Sequence, residues 1–261
     1  MLFWWLKQRR RRRIGSAPLS PEWAQVLDEN VAHFQYLSAA QREKAEHDLK
    51  IIVAEKNWEG CGGLVLTDEI RVTIAAQTAI MLLGFDVGAL DHVLTILVYP
   101  TGYIASGRQQ IGSAVLVGED HRLGEAWHRG PVILSWANVL EEGRNPGQGH
   151  NLVWHELAHQ LDMLDHAVDG TPPLPNRQAQ RRWRQVMTAE FERLASHASR
   201  GRPTLLDQYG ATDPAEFFAV ATECFLDRPK ELRERHSRLY DMLAHFYRQD
   251  PAERVPCSVE S

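Results

Sequence analysis

Through the first half of the chain, short apolar runs alternate with helical stretches, and from about residue 148 the pattern turns helical throughout. Residues 64–74 and 93–99 are rich in Val, Ile and Leu and read as strands, with 114–117 and 132–136 as further short strands. Between the first two, residues 75–83 read as a helix ended by Gly84. Ser20 before Pro21 makes an N-cap and a first helical residue, and Ser38 with Gln41 fits a capping box opening a helix that runs to about Lys56. Four later helices are predicted at 149–164, 177–199, 214–226 and 229–247, with Pro172, Pro173 and Pro175 breaking the chain after the first. No internal repeat and no glycine-rich phosphate loop interrupts this order. The pattern predicts an α+β fold, with a small mixed sheet and a mostly helical C-terminal half.

Composition narrows the chemistry. With 44% hydrophobic and 24% charged residues among 261, the chain has ordinary globular content and enough apolar material for a sizeable core. A net charge of −5 provides no global basic field, so no direct nucleic-acid partner is expected. Cys61, Cys224 and Cys257 are odd in number and widely spaced, which argues against a disulfide framework and fits a reducing, cytoplasmic location. No cysteine pair has zinc-ribbon spacing, so a metal site must use His and carboxylates. At the start, residues 1–6 read MLFWWL and residues 7–13 carry six positive charges. Six apolar residues cannot span a bilayer, and a secretory signal has its charges before the apolar stretch, not after it. Two readings of this segment stay open. One is a weak membrane-surface contact through Trp4 and Trp5 with the 9–13 arginine run on anionic lipid. The other, taken here as the expectation, is a disordered basic tail over 1–19 preceding a single domain over 20–261.

The strongest chemical signal is His155-Glu156-Leu157-Ala158-His159. On a helix, positions i and i+4 share a face, so two imidazoles can meet one metal ion, and Glu156 sits between them without occupying the metal. At about 100° per residue, Val153, Leu157, Leu161 and Leu164 form a stripe opposite His155, His159 and Asp162. One side of the helix can then pack while the other faces a site. A purely structural histidine pair would more naturally lie among the leucines. Asp162 is a candidate to accept the second N–H of a ligating His, or else a solvated acid near the helix end.

A catalytic zinc keeps three protein ligands and one open position. No HxxGxxH extension follows His159, which disfavours a three-histidine site and points to a distal Glu. The segment at 209–225 reads YGATDPAEFFAVATECF. Asp213 and Pro214 make an N-cap and first helical residue, placing Glu216 in the first turn and Glu223 on the same face seven residues on. Asp-Pro-Ala-Glu is also a capping-box pattern, so spacing alone leaves Glu216 divided between cap and ligand, with Glu223 as ligand or as a supporting partner.

These motifs carry a resemblance. WHELAHQLDM at 154–163, together with DPAEFFAVATE at 213–223, strongly resembles the Mlc titration factor A family of bacterial zinc peptidases. The likeness extends through VYP at 98–100 and WHRGPVILSW at 127–136 to FYRQDPAER at 246–254, most of the chain from about residue 20. The active-site part also looks like the catalytic domain of anthrax-type lethal factor toxins, which share HExxH, a downstream Tyr and a Glu seven residues after it. The resemblance implies a zincin-like, gluzincin-type fold holding one Zn2+ per chain on His155, His159 and Glu216. It implies Glu156 as general base and Tyr209 as an aid to catalysis, although by itself Tyr209 reads as a half-buried aromatic. The expected function is peptide hydrolysis by zinc-activated water, with the family's aminopeptidase activity on short peptides. It also implies binding of an Mlc-type transcriptional repressor. The alternative is a regulatory protein that sequesters such a repressor, with zinc structural. Residues 132–136 are a candidate strand for an extended peptide substrate, or a fully buried strand. His128, His150 and His166 read as surface or local hydrogen-bonding residues, and Trp127 and Trp136 as core.

Overall fold

The computed structural model of the chain describes residues 2–101 and 130–254. The strand expected at 114–117, together with Trp127, His128 and Cys257, lies outside them. Three helices open the order: α1 (Leu2–Gly15), α2 (Pro21–Asn30) and α3 (Ala39–Glu55). The local signals for α2 and α3 are the ones read in the sequence. Ser20 Oγ accepts from Trp23 N at 3.2 Å with Pro21 at the first position, and Ser38 and Gln41 complete a reciprocal capping box.

The segment expected to be a solvated tail is instead helix α1, packed on α3. Its cations find carboxylates on the body. Arg11 is only 3% exposed, its guanidinium bonding Glu55 at 2.6 Å and also reaching Asp91, while Lys7 Nζ bonds Asp91 at 2.6 Å. A run of like charges stays unfolded when nothing opposes it, and here two of the cations are opposed.

The chain then forms β1 (Asn57–Gly60), α4 (Asp68–Met81), β2 (Thr95–Tyr99), β3 (Val132–Ser135) and α5 (Trp136–Arg144). The strands pair in the order β1-β2-β3, Asn57 opposite Thr95 and Ile96 opposite Val132, and both pairs are parallel. The sheet expected to be mixed is therefore parallel among the described residues. Residues 64–74 are not a strand: Thr67 caps a helix through Ile70 N, and Asp68 and Glu69 occupy its first turn. This α4 merges the expected strand with the expected 75–83 helix. Every residue from Val72 to Met81 is buried, and a helix buried on all sides shows no clear period that would separate it from a strand.

The C-terminal half comprises α6 (Leu152–Asp162), α7 (Arg177–Ala198), α8 (Pro214–Asp227), α9 (Pro229–Arg235) and α10 (Ser237–Tyr247). The single helix expected over 229–247 breaks at His236, whose backbone leaves the helical region (φ −139°, ψ 50°) and whose Nδ1 lies 2.6 Å from Glu190 Oε2 on α7. One continuous apolar core runs from Leu27 to Ala252, with Trp154, Trp183, Phe217, Phe218, Phe225 and Tyr247 among its largest members. Trp136 is partly buried against it. Among the described residues no helix is long and apolar enough to cross a membrane.

The loop before α6 is tied to the end of α8. Asp227 accepts the N–H of Gly147 at 2.9 Å and of Gly149 at 2.6 Å, and His33 Nε2 lies 2.9 Å from its Oδ1. Burial opposes the charge on Asp227, but His33 and the two amides outweigh it and hold its carboxyl below the ordinary range. Asp227→Ala strands these amides and is expected to lower the unfolding free energy by about 3 kcal/mol. Asp227→Asn, which keeps one acceptor, should fall between it and the wild type in urea unfolding.

Candidate metal centre

Helix α6 begins at Asn151, whose side chain accepts from Trp154 N at 3.0 Å. Its Nδ2 donates to Gln77 Oε1 on α4 at 2.8 Å, and Gln77 Nε2 donates in turn to Val139 O at 3.1 Å. Trp154 Nε1 donates to the Gln77 carbonyl at 2.9 Å. Two more carboxylates hold the first amides of α6: Glu223 Oε2 accepts from Asn151 N and Glu142 Oε2 from Leu152 N, each at 2.6 Å. Negative charge is favourable at a helix start, yet burial first, and Glu223 nearby, push the Glu142 carboxyl up to about 7.

Held in this way, α6 turns both histidines towards α8. Asp213 caps α8 by accepting from Ala215 N and Glu216 N at 2.9 and 3.0 Å. The Glu216 side chain does not close a capping box; it crosses to α6. Its Oε2 lies 3.1 Å from His155 Nε2 and 3.6 Å from His159 Nε2, and the two Nε2 atoms are 3.2 Å apart. These three side chains form a group that could hold a metal ion. Tetrahedral bonds of zinc to N and O would separate neighbouring ligand atoms by about 3.3 Å, close to each edge of this triangle.

The electrostatics point the same way. Glu216 Oε2 is buried, and beyond its close approach to the two imidazoles no hydrogen bond satisfies it. His155 is 4% exposed, and its Nδ1 lies 2.7 Å from Glu223 Oε1. An ionised carboxylate only accepts, so Nδ1 carries a proton, and Nε2, the nitrogen that can give up its proton to a metal, faces the Glu216 oxygen and His159 Nε2. Burial works against a charged His155, but Glu216 and Glu223 outweigh it and raise its pKa well above the ordinary value. Burial likewise would raise Glu216, but His155 and His159 hold it down to about 2. Both shifts express one fact: the point where the three atoms meet calls for positive charge. Glu156, half-buried in the next position, has its carboxyl raised, chiefly by burial, against the opposing pull of both imidazoles.

The other residues singled out from the sequence fall as follows. Tyr209 precedes α8 in a short 3-10 turn, half-buried, with its ring centroid 6.3 Å from that of His155. Asp162 is fully buried but makes no hydrogen bond to either histidine. Its Oδ2 accepts from Gly170 N at 2.8 Å, fixing the loop after α6. Gly170 has φ +74°, and a Cβ there would stand 2.2 Å from the Pro214 carbonyl, so this loop lies tight against the start of the helix bearing Glu216. His150 is half-exposed, 3.4 Å from Asp207, and His166 takes a left-handed backbone at the end of the helical stretch. Cys61 and Cys224 are free, and burial pushes the Cys224 thiol up to about 12. Sequence reasoning missed Gln77, Glu142 and Asn151. Asn151 was visible in principle as an N-cap residue four before His155, whereas nothing local marks Gln77 or Glu142.

The chain is similar to known proteins along most of its length. The glucose-regulated metallo-peptidase M90 family matches residues 5–248. An uncharacterized protein of Synechocystis sp. is 37% identical over 244 residues, 93% of this chain and 89% of that protein. Mlc titration factor A of Edwardsiella ictaluri is 36% identical over 203 residues (74% and 76% of the two chains), and that of Serratia proteamaculans is 33% identical over 208 residues, 78% of each. With the family match spanning nearly the whole chain, the protein belongs to the glucose-regulated metallo-peptidase M90 family.

Proposed function

We propose that the protein is a zinc-dependent peptidase, with His155, His159 and Glu216 as metal ligands and Glu156 as general base. The observation that carries this reading is the triangle of ligand atoms with edges of 3.1, 3.2 and 3.6 Å, one vertex being a buried oxygen that no hydrogen bond satisfies. Zinc bound there supplies Lewis acidity, lowering the pKa of water and polarising the scissile carbonyl. Glu156, whose burial raises its basicity, takes the proton from the attacking water and delivers it to the leaving amine. Tyr209, beside His155, donates to the carbonyl oxygen as negative charge grows there, a contact of the kind worth about 3 kcal/mol. Glu223 orients His155 and fixes its tautomer. Among the described residues β3 lies at the sheet edge and packs on α6, where an extended peptide could add as a further strand. We assign the substrate as a short peptide cut at its free amino end, one metal ion serving each chain.

A second reading has one observation in its favour: the Edwardsiella and Serratia relatives are named for titrating Mlc. In it, this chain also captures an Mlc-type repressor, either beside catalysis or in place of it.

The test compares wild type with Glu156→Gln for zinc content and for cleavage of free and N-terminally blocked peptides. Both proteins should hold about one zinc, and hydrolysis should fall by about a thousandfold in the variant. Selectivity for free amines identifies an aminopeptidase, and cleavage of blocked peptides an endopeptidase. Zinc without any cleavage would favour the repressor-capture reading, and no metal after zinc is supplied would defeat the proposal. Separately, Glu223→Gln is expected to weaken zinc binding by about 10- to 100-fold in chelator competition, with an unchanged circular dichroism spectrum.

A further inference from the structure

Helix α1 is docked at one end and bare at the other. Towards its C-terminal end Gly15 lies against His47 of α3, where even a Cβ would collide, and Lys50 Nζ holds the Ala17 carbonyl at 2.5 Å. Arg11 and Lys7 are committed to Glu55 and Asp91. Beyond these ties Trp4, Trp5 and Leu6 are 67%, 51% and 46% exposed, three large apolar side chains in a row. Arg9, Arg10, Arg12 and Arg13 are also exposed, and among the described residues none has a carboxylate partner; the Arg9 guanidinium lies 5.5 Å from the Trp5 ring centroid. Six of the 29 Lys and Arg residues of an acidic chain fall between positions 7 and 13, with no Asp or Glu among them.

We propose that α1 docks the protein on anionic membrane surfaces, its Trp4-Trp5-Leu6 tip entering the headgroup boundary and its exposed arginines binding lipid phosphates. The order along the helix favours lipid over a protein or nucleic-acid partner. At 1.5 Å per residue the centre of the tip lies about 9 Å along the helix from the centre of the arginines, so the apolar and the cationic parts are separate and can meet the headgroup boundary and the lipid phosphates respectively. Tryptophan settles at this depth, and arginine reaches outward from it to phosphate. Neither signal suffices alone, because a small apolar contact gives only marginal attachment until a polybasic patch joins it. Docking on α3 presents both at once without the entropy cost of ordering a free tail.

The test is co-sedimentation of the full chain with vesicles of phosphatidylcholine, alone or with about 30% phosphatidylglycerol. Partitioning should be at least about tenfold higher on the anionic vesicles and fall as salt is raised. Trp4→Ser with Trp5→Ser, and separately Arg9→Gln, Arg10→Gln, Arg12→Gln and Arg13→Gln together, should each lower it about tenfold. Arg11 stays in place to keep the helix docked, and circular dichroism and the unfolding midpoint should match wild type. In the unaltered protein, brominated phospholipid should quench part of the tryptophan emission. Absence of that quenching, or of sedimentation with anionic vesicles, would overturn the proposal. So would variants that bind as wild type does. Loss in the arginine set alone would also overturn it, pointing instead to an acidic macromolecule held by charge.

Discussion

A single carboxylate on α8 holds two groups of α6 at once. Glu223 accepts from the backbone N–H of Asn151, which caps the helix, and meets Nδ1 of His155 one turn further on. The first contact fixes where α6 begins relative to α8, and the second fixes which nitrogen of His155 faces outward. Glu216 stands seven residues before Glu223, two turns along the same face of α8, so the helix that supports His155 also brings a second carboxylate to its other side. Two helices, two carboxylates and two imidazoles thus constrain one another. The outcome is a set of acceptor atoms gathered closely enough to repel each other unless a positive charge lies among them.

Such an arrangement costs stability, and the surrounding structure offsets it. Charged groups taken out of water are destabilising unless paired and hydrogen-bonded. The start of α6 is accordingly tied in several directions: to Gln77 of the buried helix α4, to Glu142, and through the preceding loop to Asp227. Its far end is tied through Asp162 to the loop at Gly170, which in turn abuts Pro214 at the start of α8. Both helices are therefore located at both ends, which makes the separation of the three candidate ligand atoms a property of the fold and not of flexible side chains alone.

How much of this was legible follows from the range of each signal. Helix starts at Ser20, Ser38 and Asp213 were readable because a cap is a contact across two or three residues. Strands β2 and β3 were readable from their β-branched runs, but β1, Asn-Trp-Glu-Gly, has no such run and is a strand only because Thr95–Tyr99 lies beside it. The all-round burial of α4 erased its period, and the burial of Arg11 depended on Glu55 and Asp91, 44 and 80 residues away. At the site, the spacing of His155 and His159 anticipated a shared face, and the structure brings Glu216 to both of them. For Glu223 the alternatives were ligand or supporting partner, and its contacts are those of a partner to His155. The Asp162 bond goes to a loop amide, a contact that helical geometry alone could not foresee. Gln77 and Glu142 act through tertiary packing and left no trace in local sequence.

The central claim is that one zinc ion sits among His155, His159 and Glu216. An anomalous difference map from crystals of the zinc-supplied protein, recorded on either side of the zinc absorption edge, tests it most directly. The account predicts one strong peak per chain, within about 2.0–2.2 Å of His155 Nε2, His159 Nε2 and a Glu216 carboxylate oxygen. An empty position there, or zinc held only by other residues, would contradict it.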